Sequence, residues 1–261
     1  MFNTHLGRIL SFNPKSVTVA IVLMMGLTGC VTPKKAREEA EFHLRIGTSH
    51  LIEGNYPPAL SELLLAEKMD PENPLVKNNI GLVYFFQEHY SLSLQHFERA
   101  LKIRPNFMEA RNNRARTLIE LERYDQAISE LKTVISDLTY PDPAKAWVNM
   151  GVAFFRKKDF SSARDRFSKA IQIDRNNCLA VNYFGRALYE LGSLGDAARA
   201  LDNAVVVCKQ VKFDEPHYFS GLTYYKLGKT ISAIARMEEV MQLFPHGAYA
   251  KKAESMLKLM R

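Results

Sequence analysis

The chain has 261 residues, 47% of them hydrophobic, with 13 glycines and 11 prolines, and this suits one elongated helical domain in which no strand-type alternation competes. Lysine and arginine outnumber aspartate and glutamate by 35 to 28, a formal net charge of +7, yet the signs are interleaved, as in Arg164-Asp165-Arg166. Interleaved charge is the pattern of a solvated helix exterior and argues against the continuous basic stripe that a nucleic acid requires.

Residues 1–30 differ from the rest. Arg8 and Lys15 precede the apolar run Val17–Leu27, and no acidic residue precedes Glu38. The run falls short of the roughly 20 residues of a spanning helix, and its charge layout is that of a secretory signal. It ends Leu27-Thr28-Gly29-Cys30, which resembles the bacterial lipobox; the competing reading is an ordinary leader with an incidental cysteine. The resemblance implies a signal peptide over 1–29 and acylation of Cys30. Several chains of the palmitate type would then anchor the protein stably. Val31, where aspartate would retain the protein inside, implies transfer to the outer membrane, with the protein facing the periplasm. Residues 30–39 would be the lipidated cysteine and a short tether. Its Val31–Lys35 part reaches only about 15–20 Å when extended, which sets the following unit close beneath the lipid.

From residue 40 the chain repeats itself. The clearest unit is Ala144–Asn177, where Trp147, Met150, Gly151 and Phe154 mark one apolar helix face and Phe160, Ala163, Phe167 and Ala170 a second. At the eighth place of each unit stand Gly47, Gly81, Ala115, Gly151, Gly185 and Gly221, at steps of 34, 34, 36, 34 and 36 residues. Two further rows keep step, Ala59, Ser93, Ala127, Ala163, Ala197, Ala233 and Ala66, Ala100, Val134, Ala170, Ala204, Val240. Small residues recur where two helix backbones approach within packing distance. The units are 40–73, 74–107, 108–143, 144–177, 178–213 and 214–247. Each is a helix–turn–helix that cannot bury both faces alone, so the units must stack.

In chain order, the first unit turns at Glu53-Gly54-Asn55-Tyr56. Its His43 and His50 share a helix face but lack a third ligand for a metal, so they read as packing residues. The third unit opens on an unusually polar helix, with Arg111, Asn112, Asn113, Arg114, Arg116 and Glu120. Either this helix contacts a partner, or its arginines pair with acids of adjacent units. Pro141 and Pro143 then re-route a turn that holds two surplus residues. In the fifth unit Cys178 and Cys208 occupy the first and thirty-first places. An antiparallel helix pair sets the start of its first helix beside the end of its second, so a disulfide is expected if the chain is exported; the alternative is two buried thiols. Beyond Phe244-Pro245-His246-Gly247, residues 248–261 place Tyr249, Ala253, Met256, Leu257 and Met260 at helical spacing. This predicts an amphipathic helix that covers the open end of the stack.

These units resemble the tetratricopeptide repeat over roughly residues 40–247, with its proline near the end of the second helix at Pro71, Pro105 and Pro245. Thr139, Arg175 and Lys209 depart from it. The resemblance implies an all-α superhelix of six helix pairs whose concave wall is built from the first helices. It also implies that places 2, 5, 9, 12 and 13 of those helices face the groove. These places hold Asn78, Asn112, Asn182 and Tyr218, together with Leu82, Phe85, Phe86, Arg116, Phe155, Arg156, Arg186, Tyr189, Leu222 and Tyr225. Amides, aromatics and arginines together suit a peptide segment, although Phe85 and Phe155 are equally well placed to be inter-repeat core.

No GxSxG, glycine-rich phosphate loop, HExxH or CxxC occurs. The sequence therefore points away from an enzyme, a cofactor or a small-molecule substrate. A lipobox, a short tether and six such repeats together resemble the pilotins of type IV pilus machines, the PilF, PilW and Tgl group. That resemblance implies a secretin subunit as protein partner and outer-membrane lipid as the anchor's partner. The competing class is a general envelope adaptor that recruits peptidoglycan hydrolases or proteases.

Overall fold

The computed structural model describes residues 33–261. The leader 1–29, Cys30 and Val31 lie outside the described residues. Among the described residues there are thirteen α-helices and no strand. The first helices of the six repeats are α1 (Pro33–Ile52), α3 (Pro74–Phe86), α5 (Met108–Glu120), α7 (Pro143–Arg156), α9 (Cys178–Glu190) and α11 (Glu215–Lys226). The second helices are α2 (Tyr56–Met69), α4 (Tyr90–Ile103), α6 (Tyr124–Ser136), α8 (Phe160–Ile173), α10 (Leu194–Val207) and α12 (Thr230–Leu243), and α13 (Ala250–Met260) follows.

Helix α1 starts inside the stretch expected to be tether. Lys34-Lys35-Ala36-Arg37-Glu38-Glu39 is made of good helix formers, and Pro33 is tolerated in a first turn. The chain is therefore helical from residue 33, and a helix rises only about 1.5 Å per residue.

Each repeat closes on one contact. The small residue at place eight lies under the large residue at place 24, which is Leu63, Phe97, Leu131, Phe167, Leu201 or Met237, all 0% exposed. A Cβ on Gly151 would stand 2.5 Å from the Phe167 ring, one on Gly81 2.8 Å from Phe97, and one on Gly185 2.7 Å from Leu201. The two other small-residue rows are also wholly buried in all six repeats. The turn within each repeat passes through a left-handed residue at place 15. Gly54, Gly192 and Gly228 supply it without strain, while Glu88, Glu122 and Lys158 adopt the same positive φ with a side chain attached. Side-chain caps from Asn73, Asp142, Asp159 and Asn177 start four of the helices.

Stacking follows from which helices meet. Successive first helices touch one another, and each also touches the second helices beside it, so the first helices line the inner wall and the second helices the outer one. The third repeat absorbs its two surplus residues in 137–142, where Tyr140 turns inward, 5% exposed, and donates its hydroxyl to Glu109 at 3.1 Å. The fifth absorbs them in a 3₁₀ turn, Lys209–Val211, followed by left-handed Lys212. There Cys178 and Cys208 are joined in a disulfide with a Cα–Cα separation of 5.0 Å. At the far end α13 lays Ala253 and Leu257 over Tyr218, Met237 and Val240, which closes the last repeat.

Two outcomes follow. Gly151→Ala should lower stability by about 1–3 kcal/mol, because Phe167 is fixed in a filled core and cannot yield; urea unfolding of the purified protein reads this. The Cys178→Ser/Cys208→Ser protein should lose about 3–4 kcal/mol, the chain-entropy value for a loop of this length. The native protein should show the same loss when unfolded with reductant present.

Candidate functional site: the concave face

The concave face is a floor of half-buried aromatics and guanidinium groups beside a more exposed rim at place 13. Its repeating contact joins place nine of one repeat to place 12 of the repeat before. Arg116 lies over the Phe85 ring at 4.3 Å and Arg186 over Phe155 at 4.7 Å. Leu82 packs on the cluster holding Leu51, and Val152 on that holding Ile119. Phe85 and Phe155 thus take part in packing between repeats. Their edges meet the half-buried Tyr90 and Tyr183, and an arginine sits over each ring. Burial holds the Arg116 guanidinium below its usual range, against Glu120 and Glu109, which raise it.

Arg186 is the most connected of these groups. Its guanidinium stands over Phe155, Tyr183 and Phe219 at 4.7, 5.0 and 4.5 Å and bonds to Glu215 at 2.6 Å. Glu215 also accepts from Asn182 at 2.9 Å and from the Tyr249 hydroxyl at 2.7 Å. Burial raises the Tyr249 phenol, and the bond to Glu215 raises it further. One carboxylate thereby ties together repeat five, repeat six and the segment leading into α13. Glu215 and Phe219 escaped the sequence reading, which placed Tyr249 only in the covering segment. Glu215 stands at place two of its repeat, and a search for opposite charges on neighbouring repeats would have matched it to Arg186.

Asn78, Asn112 and Asn182 are not groove residues. They are 4, 0 and 0% exposed, because place five lies at the seam between successive first helices. There they join helix to helix: Asn113 donates to Asn78 at 3.1 Å, Asn149 to Asn112 at 2.9 Å, and Asn182 to Glu215. Tyr218, also at place five, is buried against Tyr249, with ring centroids 4.7 Å apart. The polar helix α5 is explained similarly. Arg111 and Arg114 both reach Glu130 on the second helix of their own repeat rather than acids of a neighbour.

The side chains left facing the groove are Leu82, Phe85, Phe86, Arg116, Phe155, Arg156, Arg186, Tyr189, Leu222 and Tyr225, with Phe86, Arg156 and Tyr225 exposed. The place-13 rim changes character along the stack. Ile52 (81% exposed) and Phe86 (44%) form an apolar end, where Phe86 stacks on Tyr56 at 5.5 Å. Further along, Arg156 pairs with Glu120 at 3.6 Å, and Lys226 lies over the Tyr189 ring at 4.0 Å. At the apolar end an open cleft of about 510 Å³ is lined by Leu44, Arg45, Thr48, Ser49, Ile52, Leu75 and Asn79. A face of this kind can seat apolar anchors at one end and acidic or aromatic groups over its arginines.

His43 bonds to Glu62 at 2.7 Å and His50 pairs with Glu53 at 3.8 Å. Among the described residues no group of three or more His, Cys, Asp or Glu side chains could hold a metal ion. No described helix is long and apolar enough to cross a membrane.

Removal of Arg186 tests this arrangement. Arg186→Ala should cost about 3 kcal/mol, since Glu215 stays buried without its cation. Adding Glu215→Gln should return part of that loss, as read by chemical unfolding at neutral pH.

Tetratricopeptide-repeat models match residues 74–107, 96–129 and 113–177. The type IV pilus assembly protein PilF of Pseudomonas aeruginosa is 26% identical over 167 residues, which span 60% of this chain and 66% of that protein. The BBSome member BBS4 of Mus musculus is 24% identical over 149 residues, 57% of this chain but only 28% of its own length. Among solved structures, PilW, described as a widely conserved type IV pilus biogenesis factor, superposes with a TM-score of 0.75 at 20% identity. That match covers 82% of this chain and 97% of PilW. The P. aeruginosa PilF structure superposes with a TM-score of 0.71 at 18% identity, covering 85% of this chain and 99% of PilF. The chain carries tetratricopeptide repeats and is similar in sequence to PilF and in fold to both PilF and PilW.

Proposed function

We propose that this protein is an outer-membrane lipoprotein of the pilotin kind, which binds a secretin subunit and promotes its targeting and multimer assembly for type IV pilus biogenesis. The observation that carries the reading is the sequence similarity to the pilus assembly protein PilF. The lipobox-like Leu27-Thr28-Gly29-Cys30 supplies the membrane address. The concave face supplies a grip on an extended polypeptide, with an apolar end at repeats one and two and an arginine–aromatic floor behind it. Helix α1 begins three residues after Cys30, so an acylated Cys30 would hold that apolar end close to the lipid surface. The mechanism is delivery and holding: the anchor carries the bound subunit to the membrane, and the groove releases it once ring contacts compete.

In a strain lacking the gene, heat-resistant secretin multimers and twitching should both disappear. A Cys30→Ser protein should accumulate without restoring multimers in the outer membrane. Phe86→Asp/Arg156→Glu, at exposed positions, should reduce secretin recovered on affinity purification from detergent-solubilised envelopes at least tenfold while leaving the thermal melt unchanged. Normal multimers in the deletion strain would overturn the proposal.

A further inference from the structure

The junctions after repeats three and five carry the same two-residue surplus and end differently. After repeat three, Trp147 enters the gap between α6 and α8 beneath Arg166, whose guanidinium lies 5.7 Å from the ring. What is left is a cavity of about 210 Å³ whose wall includes Ile135 and Ser136. After repeat five the corresponding places hold His217, Val205 and Val206. The smaller imidazole does not fill the gap, and the 3₁₀ turn carries the chain outward instead of folding a tyrosine in. Between α10 and α12 a cleft of about 650 Å³ opens on the outer wall of the superhelix, away from the groove.

One side of this cleft is apolar, formed by Val205, Val206, Phe213, Leu243 and Phe244. Val206 is 71% exposed and Leu243 58%. The opposite side is polar but already satisfied. Glu239 accepts from His217 at 2.9 Å and from Arg236 at 2.7 Å, and Arg236 also reaches Asp202 at 2.8 Å. Burial pushes the Glu239 carboxyl up, but these bonds outweigh it and hold the group below its ordinary range. On the lip, Lys209 and Lys212 have neither an ion-pair nor a hydrogen-bond partner among the described residues. An exposed apolar trough with unspent positive charge at its edge calls for an occupant with apolar bulk and negative charge. A second copy of this chain fits poorly, since two bodies of positive net charge repel, +7 for the full chain and +5 (33 basic against 28 acidic residues) without Arg8 and Lys15 of the leader.

We propose that this cleft is a second docking site, for an acidic segment of a partner polypeptide. An aliphatic or aromatic side chain of that segment seats against Val206 and Leu243, and its carboxylates meet Lys209 and Lys212. The site is independent of the pilus reading, because it lies on the opposite wall from the groove and is tested in vitro. A phage-displayed library of random dodecapeptides is panned against the full chain in detergent. The best peptide is then synthesised with fluorescein and titrated by anisotropy. Enriched peptides should pair a bulky apolar residue with Asp or Glu. Binding should weaken at least tenfold in Val206→Asp/Leu243→Asp, in Lys209→Glu/Lys212→Glu, and in His217→Trp, which fills the cleft as Trp147 fills its counterpart. The first two variants alter exposed side chains, so their thermal melts should match the native protein. The absence of enrichment, a consensus without acidic residues, or binding unchanged in the first two variants would overturn the proposal. So would a sedimenting dimer that Val206→Asp/Leu243→Asp dissociates, since a second copy would then own the cleft.

Discussion

The fold depends on one contact made six times, a place with little or no side chain set under a large, fully buried apolar residue of the partner helix. A glycine at place eight lets two helix backbones come close enough for a Phe, Leu or Met at place 24 to lie across the gap, fully buried. That approach sets the angle within each helix pair, and the pair's outer surface then sets how the next pair sits. A change at one such place would be felt as a splay within its repeat and passed to both neighbours, since units of a repeat array touch only those beside them. In the third repeat alanine takes that place, and both Ala115 and Leu131 are fully buried.

Repeats packed this way have two unlike walls. The inner wall is held by polar bonds between successive first helices, an asparagine seam that ends at Glu215, together with arginines laid on aromatic rings. Such contacts are directional, so they fix the register of one repeat on the next. They also leave the outer edges of the same rings and guanidinium groups to face a groove. The outer wall has no comparable seam. Where the repeat length slips by two residues, it either fills, as at Tyr140 and Trp147, or opens, as at His217 and Val206. The disulfide of repeat five sits at this opening, with Cys208 in its wall. It pins the end of α10 to the start of α9 beside a gap that packing leaves unfilled.

The two ends of the stack also differ. At the first repeat Ile52 and Phe86 leave apolar surface beside an open cleft. At the last, α13 and Tyr249 cover the equivalent ground, and Glu215 binds that cover to the body. Burial of Tyr218 follows from this cover rather than from its place in the repeat.

The amino-acid sequence alone determined the number of repeats, the rows of small residues, the capping helix and the nearness of Cys178 to Cys208. All of these follow from a period of about 34 residues in which every repeat meets the same neighbours. It could not say which face of a first helix is seam and which is groove. Place five holds amides in three repeats, and an amide serves a helix seam as well as a bound peptide. Only the tertiary structure decided that Asn78, Asn112 and Asn182 belong to the seam, because only there is the spacing between successive first helices known. It likewise decided that the segment after residue 32 is helix, that Arg186 finds its carboxylate 29 residues away, and that equal insertions close in one repeat and open in another. These depend on distances between units, which a period along the chain does not contain.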